Sequence, residues 1–220
     1  MNNMNHSVLS ITLTLLLATI TAGSSAKVLI ADSQLQEVVV LGGKQKAKHL
    51  SNRGMRIAGA VSTFTPDKLG YEVGSELSVK HPFEVESIDF DIVSSGIAGA
   101  VLSIQIYNDS TFAPLLSHPM RATLQLGGKQ TIVVSPTERT LLPRGKYIIA
   151  VTFADCDEEI KQQWAESHQC DSATRYRMQS QSIQFPLYLK DGCIRSRAND
   201  SFESLQVNIG IKVVGKEYRS

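Results

Sequence analysis

Charge of one sign, aromatic rings and long apolar runs are all scarce in this chain. Lys and Arg (22) nearly balance Asp and Glu (21) over 220 residues, leaving a net charge of +1. The two signs are dispersed, so there is no broad basic surface to displace counterions from nucleic acid, and nucleic acid is not expected as a partner. Aromatics make up 6% with a single Trp, which leaves little material for the exposed ring platforms on which sandwich proteins hold sugars. Catalytic motifs are missing as well: there is no His-Glu-x-x-His, nucleophile elbow, P-loop or Cys-x-x-Cys. His49, His81, His118 and His168 are scattered, two of them directly before proline, and read as exposed loop residues. An enzyme whose groups converge from distant loops is the alternative, because such sites are recognised by geometry rather than by motif.

What the chain does contain is strand periodicity. From Gly70 to Asn108 apolar and polar residues alternate with the two-residue period that sends neighbours to opposite faces of a sheet. Ile88, Phe90 and Ile92 share one face, with Asp89 and Asp91 directed to water. Leu102, Ile104 and Ile106 repeat the pattern against Ser103, Gln105 and Tyr107. Three strands that bury one face each require a covering sheet.

Further along, Met120–Leu126 and Lys129–Val134 flank Gly127-Gly128 and predict a hairpin. After the Pro143-Arg144-Gly145 turn, Lys146–Phe153 reads as a central strand covered on both sides. Residues 174–180 and 183–189 predict two more strands, the second at an edge because of Pro186. Leu205, Val207, Ile209, Ile211 and Val213 line one face of a last strand. Between them, Asp155–Ser167 predicts a short helix or long loop, with acidic residues at its start and Ile160 and Trp164 one turn apart. Nine to eleven strands and at most one short helix give an all-β fold, an antiparallel β-sandwich of jelly-roll type.

The first 26 residues differ in kind. Val8–Ile20 is a 13-residue, mostly apolar run followed by small residues up to Ala26, too short for a confident span of about 20 residues. It predicts a secretory signal cleaved after Ala26, with an uncleaved anchor as the alternative, since no Lys or Arg precedes the run. No Cys lies near Ala26 for lipid attachment. Residues 27–55, polar and basic around Lys44, Lys46, Lys48 and Arg53, read as a flexible arm, and 56–220 as the sandwich domain. Export makes a Cys156–Cys170 disulfide plausible, with Cys193 left over; three reduced, buried thiols are the alternative.

Within the arm, Leu35-Gln36-Glu37-Val38-Val39-Val40 resembles the Leu-x-Glu-Val-Val-Val segment of outer-membrane proteins in certain Gram-negative bacteria. There it follows a carboxypeptidase-like regulatory domain or serves as a TonB box. Lys48–Arg53 and Gly70–Glu76 are similar to landmarks of a secreted β-sandwich family of unassigned activity related to those proteins. The resemblance implies an exported protein that is periplasmic, outer-membrane associated or secreted. From the residues themselves, Glu37–Leu41 reads as an added edge strand or a tether, with TonB engagement as the alternative; as an added strand, Glu37, Val38, Val39 and Val40 dock the arm on a partner's sheet edge. Asp109-Ser110-Thr111 and Asp171-Ser172-Ala173 resemble the acceptor tripeptide for O-glycosylation in the same bacteria, with Ser110 and Ser172 as the acceptors.

Two further clusters are candidates from the residues themselves. Asp155, Asp157, Glu158 and Asp171 form an oxygen-rich rim of the kind that suits Ca²⁺, although acidic residues at a helix start serve equally as solvated caps; no other cofactor is implied. Trp164, Tyr176 and Tyr188 form a candidate ligand platform, against the alternative that Trp164 is core. The function these features favour is an exported, non-catalytic envelope protein. It would bind an envelope protein or glycan through the sandwich loops and meet the membrane only through that partner. The alternative is a hydrolase of glycan or ester substrates with a loop-built site.

Overall fold

Two antiparallel sheets face each other in the computed structural model, which describes residues 44–166, 180–196 and 201–219. Among these residues the chain forms β1 (Lys44–Ser51), β2 (Met55–Phe64), β3 (Glu72–Val79), β4 (Phe83–Ile92), β5 (Ser94–Ser95), β6 (Val101–Asn108) and β7 (Met120–Thr123). Then come β8 (Gln130–Val134), β9 (Thr140–Leu142), β10 (Gly145–Asp155), α1 (Glu158–Glu166), β11 (Ile183–Arg195), β12 (Glu203–Asn208) and β13 (Lys212–Arg219). The smaller sheet runs β1-β13-β4-β8, with β9 also on β4. The larger runs β12-β11-β3-β10-β6-β7, with β2 and β5 also on β11. This is an all-β sandwich with one α-helix among the described residues.

The alternation in the sequence places the core. Ile88, Phe90 and Ile92 of β4 and Leu102, Ile104 and Ile106 of β6 are fully buried between the sheets, each worth about 1.5–3 kcal/mol of apolar transfer. Phe64 stacks on Phe153 at 6.0 Å and meets Phe185 edge-on at 5.4 Å, filling one end of the interior. Strand β10 is covered on both faces, as its continuous apolar run predicts: Tyr147 through Val151 and Phe153 are all buried.

Several expectations need correction. The arm does not extend to residue 55, because Lys44–Ser51 pairs along its length with β13 and Met55–Phe64 pairs with β11. Lys48 forms a 2.5 Å ion pair with the buried Glu217, so basic residues that look solvated in sequence tie β1 to the domain. Met120–Leu126 and Lys129–Val134 do not form a hairpin: β7 pairs with β6 in one sheet and β8 with β4 in the other. The Gly127-Gly128 turn therefore crosses the sandwich, held by Gly127 bridging Ser95. Pro186 lies inside the larger sheet rather than at its edge. The pairing of β2 with β11 is irregular between Val61 and Arg56, opposite Pro186–Tyr188, where a missing N–H is tolerated.

The last strand is likewise two strands in different sheets, β12 and β13. At the break Gly210 has φ 71°, and any Cβ there would collide with the Tyr188 ring. Asn208 locks the crossing by donating to the carbonyls of Asn52, Lys190 and Asp191 and accepting from Gly210 N at 2.7 Å. Finally, Asp89 and Asp91 are half-buried and pair with Lys212 at 3.1 Å and Arg53 at 3.3 Å, instead of pointing freely into water. Gln105 and Tyr107, on the face of β6 expected to be solvated, are buried.

Candidate interaction edge

Buried Tyr107 belongs to a second, smaller cluster on the outer face of the larger sheet, with Ile148, Ala150 and Cys193, against which Phe112 and Phe202 pack. Cross-strand register builds it. Arg195 of β11 lies opposite Glu72 of β3, which lies opposite Thr152 of β10. Two residues along, Cys193, Gly74 and Ala150 form a parallel row. Tyr107 is registered with Ile148, and the small side chains of that row leave space for its ring to reach Glu72.

The Glu72 carboxylate is fully engaged. Arg195 donates Nε and Nη2 to one oxygen at 2.6 and 2.5 Å, while the Tyr107 and Thr152 hydroxyls each donate to the other at 3.0 Å. The Arg195 guanidinium lies 4.8 Å from the Tyr107 ring centre and 4.2 Å from that of Phe202, a desolvated cation between two π-faces. Phe202 immediately precedes β12, so this clamp fixes where β12 begins. Phe112, at φ 53°, reaches Phe202 edge-on at 5.6 Å. Its turn is set by Asn108, whose side-chain oxygen accepts from Ser110 N and Thr111 N. The three rings meet at about 60°, so they present no coplanar surface for a sugar.

Burial sets the chemistry of this face. The Tyr107 hydroxyl is pushed up to about 12, chiefly by desolvation and then by Glu72. The Cys193 thiol is also pushed up to about 12, by burial first and Glu76 next; burial likewise raises Cys156, which lies apart from this face in the main core. These thiols stay protonated at neutral pH and are poor nucleophiles.

Beyond the clamp, β12 pairs with β11 on one side, Leu205 with Gly192 and Val207 with Leu189. Among the described residues its other side has no strand partner, and Glu203 through Gln206 are all exposed. Leu189 also pairs with Met55 of β2. Paired residues project from the same sheet face, so Met55, Leu189 and Val207 form a row, with Leu205 two residues along from Val207. Met55 is 71%, Leu189 48% and Leu205 38% exposed. The row is thus exposed at Met55, Leu189 and Leu205 and half-buried at Val207.

No protein-family model and no characterised protein matches this chain.

The sites expected from sequence lie elsewhere or apart. Glu37, Val38, Val39 and Val40, the signal segment, and Cys170, Asp171, Ser172 and Tyr176 fall outside the described residues. Trp164 is half-buried on α1 and donates to Gln181 at 2.9 Å. Tyr188 is buried in β11, beneath Arg53 at 6.0 Å and against Gly210, so it is not part of an exposed platform. Of the four residues expected to form a Ca²⁺ rim, Asp155 and Glu158 share Lys161 at 2.7 and 3.2 Å, and the Asp157 carbonyl accepts from Ile160 N and Lys161 N at the start of α1. Lys161 holds the Asp155 carboxyl below its ordinary value. Among the described residues no three His, Cys, Asp or Glu side chains converge for a metal. Cys156 and Cys193 are free, buried thiols, and Cys170, the expected partner of Cys156, lies outside the described residues. Ser110 is exposed in its turn, its hydroxyl donating to Asn108 at 2.7 Å.

Sequence reasoning missed the edge because Leu205 and Val207 continue an apolar alternation into Val213 and look like core. The available signal was Gly210, which interrupts the run. Arg195 and Glu72 carried no signal, since 123 residues separate them.

Proposed function

We propose that this is an exported, non-catalytic protein of the cell envelope that captures a protein partner by strand addition at the β12 edge. The observation that carries the reading is the edge of β12, which has no strand partner among the described residues, beside the partly exposed apolar row of Met55, Leu189, Val207 and Leu205. Strand addition uses both halves of such a surface: open backbone groups supply affinity, and side chains on one face supply selectivity. Exposed apolar surface of this kind marks an interaction site in a soluble domain. Relative to docking through the sandwich loops, the edge offers a complete set of backbone partners. Binding is favoured over the loop-built hydrolase because the most deeply buried polar groups of the outer face are engaged internally: Glu72 accepts four donor contacts, and burial holds the Cys193 thiol protonated.

The export half of the reading rests on the apolar leader and on the Glu37–Val40 resemblance. A photo-crosslinking residue at Leu205, compared with one at the exposed Val133 of β8, tests the binding half in the native envelope. Adducts from position 205 alone are expected. None from 205, or the same adducts from both, refutes edge capture. The arm's part in docking is tested separately by deleting residues 27–43. A deletion that continues through Leu50 is unsuitable, because it removes β1 from the smaller sheet.

A further inference from the structure

We propose that the occupant of the β12 edge is an extended segment of another protein that runs antiparallel to β12 and reads apolar, polar, apolar, polar, then Lys or Arg. This inference rests on the edge-binding reading and names the chemistry of its partner.

Glu203 carries the argument. Residues 203, 205 and 207 alternate onto one face of β12, so the column that contains Val207 and Leu205 ends on an exposed carboxylate. The irregular pairing of β11 with β12 puts its extra residue on β11, between Leu189 and Gly192, and β12 itself runs unbroken from Glu203 to Asn208. Glu203 lies opposite Ile194, which packs against the main core, and is therefore an inward-facing charge on an edge strand. No cation among the described residues pairs with it. On β4, by contrast, every acidic residue has its own counter-charge: Glu84 meets Arg139, Glu86 meets Lys216, Asp89 meets Lys212 and Asp91 meets Arg53.

A strand entering on the free side of β12 sets its residues directly opposite 203, 205 and 207, within side-chain contact. Apolar residues opposite Leu205 and Val207 cover the exposed row. Opposite Glu203 an apolar residue would desolvate an unpaired carboxylate and an acidic one would repel it, whereas Lys or Arg completes a cross-strand ion pair. Inward-facing charge is one of the devices by which sheet edges refuse unwanted strands. Here it admits those that bring the opposite charge. Exposed Ser204 and Gln206 on the other face suit polar residues at the intervening positions, and the antiparallel sense matches the other pairings of β11 in this sheet. β12 contains neither Lys nor Arg, so a second copy of the strand does not supply the pattern. The edge is also held in place, since the Arg195 clamp grips Phe202 at one end and Asn208 bonds three carbonyls at the other. An edge already rigid loses little freedom on pairing.

The test follows fluorescence anisotropy of two labelled peptides, Thr-Val-Thr-Val-Thr-Lys-Thr and the same sequence with Glu in place of Lys, titrated with the full chain. Wild type should bind the Lys peptide about fivefold more tightly than the Glu peptide. Glu203→Lys should reverse that preference and Glu203→Gln should remove it. Leu205→Asp should weaken the Lys peptide about tenfold or more, whereas Val133→Asp should not. Unchanged circular dichroism and urea midpoints show that the variants fold. Equal affinity for the two peptides, a preference that survives Glu203→Lys, binding that survives Leu205→Asp, or no binding of the Lys peptide overturns the proposal. If the photo-crosslinker at Leu205 nevertheless captures a protein in the envelope, the edge-binding reading stands and only the partner's chemistry is refuted. If position 205 captures nothing, both fall.

Discussion

Replacing Arg195 with Met tests whether the outer-face clamp is as costly to break as its burial implies. Arg195 and Glu72 are 6% and 7% exposed in their side chains, so solvent does little to screen them. Met keeps the stem between the Tyr107 and Phe202 rings but leaves the Glu72 carboxylate buried with two hydroxyl donors and no counter-charge. Removing one partner of a buried ion pair costs about 3–5 kcal/mol, and the lost cation–π contacts with two rings add roughly 1 kcal/mol or more. Against a typical total stability of about 5–15 kcal/mol, the variant should lose a large share of its urea resistance. The assay is equilibrium urea unfolding, with unchanged m-values confirming a common transition. In a double-mutant cycle, Glu72→Gln in the Arg195→Met background should recover part of the loss, with a coupling of about 0.5–3 kcal/mol. A single-variant loss below about 1 kcal/mol, or strict additivity, would refute the argument that this network fixes the outer face.

Glu76 provides a pH signature. Burial and then Asp109 and Asp191 raise its carboxyl above the ordinary 4.5, so its ionisation opposes folding: this contribution to stability is intact below that value and is lost as pH rises through the raised one. Glu76→Gln should therefore increase Tm at neutral pH and leave it unchanged in acid; an equal shift at both pH values would contradict the assignment. Glu84 has the opposite sign, because the hydrogen bond from Arg139 holds its carboxyl below the ordinary value. Glu84→Gln should cost about 1 kcal/mol at neutral pH, and the difference should fade as acid protonates Glu84 in the wild type, as followed by paired urea titrations. Gly210→Ala combines a positive φ with a clash against Tyr188 and should destabilise by about 2 kcal/mol or more; a loss of a few tenths would show that the crossing can move. In Cys170→Ser protein, the Cys156 and Cys193 thiols should label slowly with an aromatic disulfide reagent until urea is added. Rapid labelling of the native protein would contradict their burial.

How far the sequence could be read depended on the range over which each feature is determined. Faces of single strands were legible, because the two-residue period is a local property: Ile88, Phe90, Ile92, Leu102, Ile104 and Ile106 are buried as expected. The position of α1 was legible for the same reason, through its acidic start and its Ile160–Trp164 spacing. Sheet membership was not. Periodicity reports that a strand has an apolar face but not which sheet holds it, so Gly127-Gly128 looked like a hairpin turn and Leu205–Val213 like one strand. The arm was misjudged at Lys48 because a lysine paired with a buried carboxylate and a lysine in water are the same letter. At the candidate edge the sequence misled outright, since Leu205 and Val207 carry a core pattern on a strand where Leu205 is exposed and Val207 only half-buried. The Arg195 clamp needs five residues from four strands and one loop, and no spacing rule connects them.

The pairing of β1 with β13 has a consequence for how the protein is made. Lys48 and Glu217 are 169 residues apart, and β12, β13 and the Asn208 lock all come from the final part of the domain. Contacts this distant delay folding, because the entropy of closing a long loop must be met before its contacts form. The smaller sheet cannot be completed, and β1 has no partner, until Lys212–Arg219 is available. Until that strand is in place the domain remains short of its native state, and the docking of this eight-residue strand between β1 and β4 acts as the step that closes the smaller sheet.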